Sequence, residues 1–80
     1  MTVPRTLAAL AVGDRGRVTD LGGDEHLQQR LLELGLYPGA EVRLVRIAPL
    51  GDPLEFEVLG YHLSLRRVEA GSVHIEAVDP

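Results

Sequence analysis

The sequence predicts a mainly β protein: a small, partly open barrel of about five short strands, with one α-helix between the first and second strands. Three observations carry that reading. Runs of alternating apolar and polar residues recur along the chain, with turn signals roughly every 8–12 residues. One segment alone repeats apolar residues at helical spacing, with Leu27, Leu31 and Leu34 at i, i+4 and i+7. Parallel βαβ units do not fit, because only one helix is long enough to make a crossover.

Taken in order, Thr6-Leu7-Ala8-Ala9-Leu10 forms one short helical turn with Leu7 and Leu10 on the same side, and Gly13 ends it. Residues 16–21 make a first, modest strand, broken by Gly22-Gly23. Asp24 is a natural N-cap for a helix over 25–34, and Glu25 in its first turn suits the helix dipole. Gly35 follows the last apolar repeat, where a left-handed conformation is nearly free for glycine. Pro38-Gly39 fits the centre of a type II turn, so helix gives way to sheet here.

The longest strand is expected over 41–47. Val42 and Leu44 share one parity, Val45 and Ile47 the other, which predicts a bulge or sharp bend near Leu44-Val45. A turn-rich loop over 48–53 leads into 54–58, apolar on one face and acidic on the other. Leu59-Gly60 makes a tight hairpin into 61–65, residues 66–71 form a single 3₁₀-like turn, and 73–77 alternates again. A short-stranded barrel that turns a corner in this way is of the SH3-like kind.

Composition narrows the function. Eighty residues read as one domain over 1–80, which buries only roughly 60–65% of its unfolded surface. The formal charge is −4 and all eight basic residues are arginine. An acidic chain without a basic run lacks the footprint of a nucleic-acid binder. With no cysteine, neither a disulfide framework nor a thiolate metal site is available. The first residues carry no signal-peptide core, and no apolar run reaches membrane-spanning length. The expectation is a soluble cytoplasmic protein without direct membrane insertion.

No GxGxxG, Walker A, HExxH or GxSxG spacing occurs. His26, His62 and His74 are isolated in sequence, and strand parity turns His62 and His74 outward. Glu55 and Glu57 share the outer face of one strand, as solvated charges do. Neither catalysis nor a cofactor is expected. The apolar residues outside the expected core are more informative. Leu36 and Tyr37 protrude at the helix-to-strand corner, and Leu50 sits within the Pro/Gly-rich loop. They either cover the ends of the barrel or form a shallow apolar groove, rimmed by Arg30, Arg46 and Arg66, that grips another protein.

Four segments together resemble the FeoA family, small SH3-like cytoplasmic proteins associated with bacterial ferrous iron uptake. Leu7-Ala8-Ala9-Leu10-Ala11-Val12-Gly13 is similar to its opening L-x-x-L-x-x-G. The stretch from Arg30-Leu31 through Leu34-Gly35-Leu36-Tyr37-Pro38-Gly39 resembles its R-L-x-x-L-G-[apolar]-x-P-G signature. Ala48-Pro49-Leu50-Gly51-Asp52-Pro53 matches its A-P-x-G-D-P loop, and the stretch from Gly60 through Arg66 to Glu69-Ala70 resembles its closing segment. The resemblance implies a non-enzymatic accessory protein that binds and tunes FeoB, a membrane transporter with a cytoplasmic GTP-binding domain.

The partner-binding residues expected on that basis are Arg30, Leu36, Tyr37, Pro49, Leu50, Asp52 and Arg66. An arginine donated in trans could act on GTP hydrolysis, but Arg30 and Arg66 are expected to anchor the barrel through Glu33 or Glu69. The same fold is appended to DNA-binding domains in iron-dependent repressors of the DtxR type. One alternative is an RNA- or ribosome-associated module, faintly suggested by Gly13-Asp14-Arg15-Gly16-Arg17-Val18 and opposed by the charge. Another is a weak transition-metal-binding protein using His62 or His74 with Glu55, Glu57 or Glu76.

Overall fold

A computed structural model describes residues 5–78. In chain order the elements are β1 (Arg5–Thr6), a 3₁₀ turn (Leu7–Ala9), β2 (Arg15–Leu21), α1 (Glu25–Glu33), β3 (Glu41–Ile47), β4 (Leu54–Val58), β5 (Tyr61–Leu65), α2 (Arg67–Ala70) and β6 (Val73–Ala77). They form one antiparallel sheet in the order β1-β6-β2-β3-β4-β5. The mainly β class stands. Two details differ from expectation: a two-residue β1 precedes the first predicted strand, and the turn after β5 is a short α-helix.

Helix α1 begins as its sequence requires. Asp24 Oδ1 accepts the Leu27 amide at 2.8 Å, and the Gln28 side chain donates back to the Leu21 and Gly23 carbonyls. Its other end is a full Schellman motif. The Gly35 amide donates to Leu32 and the Leu36 amide to Leu31, with Gly35 at φ 94°. That motif brings the residue after the glycine back against the last turn of the helix. Leu36 therefore packs with Leu31 in the core, and both are 0% exposed. It does not protrude, which removes it from the surface where the sequence had placed it.

The Tyr61 hydroxyl donates to the Leu34 carbonyl, one of the acceptors the end of the helix leaves free. Ahead of the helix, Gly22 donates to the Ser72 carbonyl, and in its last turn Arg30 pairs with Glu69 of α2. The last turn of the helix is thus tied to β5 and α2, and the segment leading into it to the residue before β6.

Along β3, Val42 and Leu44 face the core. The register against β4 then shifts between Leu44 and Arg46, leaving Val45 as the extra residue. The shift restores Ile47 to the core side, and the predicted bend is present. A second irregularity, in β2 at Thr19, carries no comparable parity signal. The sole phenylalanine, Phe56, is fully buried among aliphatic residues.

The β4–β5 hairpin turns through Leu59 (φ 52°) and Gly60 (φ 85°), a pair that fits a type I′ turn. Leucine tolerates this region poorly, whereas asparagine is the residue most suited to it. Leu59→Asn should raise stability by about 0.5–1 kcal/mol. A rise in the urea midpoint at unchanged slope checks this.

Candidate partner-binding surface

The loop over 48–53 is a built structure, and Arg67 is its keystone. The Gly51 amide donates to Ala48 O at 2.8 Å, and the Ala48 amide to Pro53 O at 3.1 Å. Asp52 Oδ1 accepts the Arg67 amide at 2.9 Å. The Arg67 guanidinium donates in turn to Gly51 O (Nε, 3.1 Å) and Ala8 O (Nη1, 3.3 Å). One side chain thereby ties the loop, α2 and the 3₁₀ turn together. Arg67→Ala should speed hydrogen exchange at the Gly51 amide roughly tenfold while leaving β3 and β4 protected. Equal exchange in both proteins would show that the loop holds itself.

This clamp decides what is exposed around it. Leu50 stands at the tip of the loop with 97% of its surface free, and Val68, next to Arg67, is 79% exposed. Pro49, Arg66 and Ala9 complete the exposed end. Sequence reasoning missed Val68 and Arg67. The available signal was Val68 itself, an apolar residue flanked by Arg67 and Glu69 in a turn too short to bury every side.

The expected site residues separate into three groups. Leu50, Pro49 and Arg66 lie at this end of the molecule and are exposed. Arg30 and Asp52 serve the fold. Glu69, 8% exposed, accepts the Arg66 amide at 2.8 Å through Oε1 and pairs with Arg30 through Oε2, the anchoring role expected of Arg30. For Arg66 the same carboxylate holds the backbone amide, while its side chain stays exposed. Tyr37, 43% exposed, precedes β3, whereas Leu50 follows it. Seven strand residues, roughly 20 Å of backbone, separate the two. A single groove holding Leu36, Tyr37 and Leu50 is therefore not what the chain builds.

The outer face of the sheet is laced with ion pairs. Arg17 bridges Glu41 (3.3 Å) and Glu76 (3.5 Å), Arg43 meets Glu57 (3.6 Å), and Arg46 meets Glu55 (3.0 Å). Being solvent-exposed, each contributes little to stability. Their consequence is electrostatic, since Arg46 is neutralised and does not rim the Leu50 surface as a free cation. His62 Nε2 lies 3.4 Å from Glu57 Oε2, and His74 sits in β6, which does not neighbour β5. Among the described residues no three His, Asp or Glu side chains gather as a metal site. No helix among them is long and apolar enough to cross a membrane.

The model of the FeoA domain family matches residues 5–77. The chain belongs to the FeoA family. A relative from Porphyromonas gingivalis, a fusion of Fe(2+) transport protein A with the Fe(2+) transporter FeoB, is 32% identical over 72 residues. That alignment takes in 90% of this FeoA-family chain and only 8% of the fusion protein. The solution structure of FeoA from Chlorobium tepidum superposes with a TM-score of 0.87 at 37% identity, covering 94% of this chain and 71% of that one. FeoA from Stenotrophomonas maltophilia, described as an SH3-domain protein and solved in complex with zinc, gives 0.79 at 32% identity, covering 90% of this chain and 89% of that one. The SH3-like class read from the strand pattern agrees with these FeoA structures.

Proposed function

We propose that this FeoA-family chain is a non-enzymatic, cytoplasmic interaction module of ferrous iron uptake, one that binds a FeoB-type transporter from the cytoplasmic side and tunes Fe(II) import. The observation that carries the reading is the Porphyromonas fusion, in which a segment similar to this chain shares a polypeptide with FeoB. Joining two domains covalently raises their effective mutual concentration, an arrangement useful to domains that act on each other. The clamped, apolar loop end supports the same reading, since a rigid exposed apolar tip suits protein recognition.

The test is a pull-down of the cytoplasmic domain of the cognate FeoB-type transporter, run nucleotide-free, with GDP and with a non-hydrolysable GTP analogue. Retention in at least one state is the expected result. Absence of binding in all three would overturn the reading.

A further inference from the structure

We infer that the end of the molecule carrying Leu50, Val68 and Arg66 receives a protein segment in which an apolar side chain is flanked by carboxylates, an inference that rests on the interaction-module reading above. Leu50 and Val68 are the two most exposed large apolar side chains among the described residues. Leu50 also rides on a loop already fixed by the Arg67 clamp and the turn bonds of 48–53, so docking costs little further ordering.

Charge identifies the occupant. The protein as a whole is at −4, yet this end is locally cationic. Arg17, Arg30, Arg43 and Arg46 each have a carboxylate within hydrogen-bonding or ion-pair distance, whereas among the described residues no carboxylate pairs with the adjacent Arg66 and Arg67 guanidiniums, nor with Arg5 in β1 or Arg15 at the start of β2. Of the acids on neighbouring segments, Glu69 is buried against Arg30 and Glu55 holds Arg46; Asp52 accepts the Arg67 amide and keeps its charge, so two guanidiniums stand against one carboxylate and the end stays net positive. A partner carboxylate thus meets two neighbouring unpaired guanidiniums beside exposed apolar side chains here, whereas Arg5 and Arg15 lie in β1 and β2, apart from the loop and α2 that carry Leu50 and Val68. The apolar groups are aliphatic, with no aromatic side chain to stack a base, so the surface suits a protein rather than a nucleic acid.

The test titrates the cognate transporter's cytoplasmic domain into wild-type protein and four variants. Leu50→Glu and Val68→Glu should each weaken binding at least about tenfold. Arg66→Glu should weaken it and flatten its dependence on ionic strength. Leu59→Asn, at the hairpin turn that closes the other end of β4 and β5, should bind as wild type. All four positions are exposed, so a thermal melt confirms that each variant folds. If the wild type binds and Leu50→Glu and Val68→Glu bind equally well, this surface is the wrong one while the interaction-module reading stands. Should the wild type fail to bind in every nucleotide state, both fall. Self-association lost in Leu50→Glu, or salt-sensitive RNA binding lost in Arg66→Glu, without transporter binding, would overturn the choice of occupant.

Discussion

Leu36→Ala should cost the protein about 3 kcal/mol, within the range of fully buried leucine truncations. Leu36 is 0% exposed and seats the helix-to-strand corner against Leu31. Its removal therefore leaves a cavity where α1 meets the sheet. An 80-residue domain has only roughly 4–12 kcal/mol of stability in total. The melting temperature should fall by roughly 12–24 °C. The same substitution at Leu50, which is 97% exposed, should leave the melt nearly unchanged. A Leu36→Ala protein as stable as wild type would return Leu36 to the surface and break the account of the corner.

Glu69→Ala carries the second large effect. One carboxylate does two jobs, holding the Arg66 amide at the start of α2 and pairing with Arg30 from α1. Losing the amide acceptor costs about 1 kcal/mol. Vacating a buried position adds to this, and we expect a total of about 2 kcal/mol. The Arg30 side chain is 54% exposed and can rehydrate, so its loss of a partner adds little. Arg30→Ala is the more telling companion, because it leaves a largely buried carboxylate with one partner fewer. The double mutant should therefore be less destabilised than the sum of the singles, by about 1 kcal/mol. Strict additivity would mean that the pair is not a stabilising unit and would free Arg30 for a role toward a partner.

Much of the fold was legible because local rules and tertiary packing agree. The parity switch at Leu44-Val45 forced a bulge, and the bulge is there. Gly35 and Pro38-Gly39 marked the helix stop and the turn, with φ 94° at Gly35 and a 3.0 Å bond from the Ala40 amide to Tyr37 O closing the turn. Leu36 was misplaced although its signal was present, since the glycine motif at residue 35 packs the following apolar residue against the helix. What could not be read were bonds spanning the chain. Asp52 looks like an ordinary turn residue, yet its partner is the amide of Arg67; Arg67 reaches Ala8. Tyr61 reads as a strand residue, and its hydroxyl caps a helix 27 positions earlier. β1 is two residues long, too short for any alternation to show.

The central claim is that this FeoA-family chain grips a larger protein with the clamped loop end, and amide chemical-shift mapping tests it most directly. Titrating the isotope-labelled protein with the cytoplasmic domain of a cognate FeoB-type transporter should shift the amides of Ala48, Leu50, Gly51, Asp52 and residues 66–68 together with Ala8 and Ala9, while the outer faces of β2 and β6 stay unchanged. Shifts gathered instead around Tyr37 and the Leu59-Gly60 turn, or none at saturating partner, would contradict it.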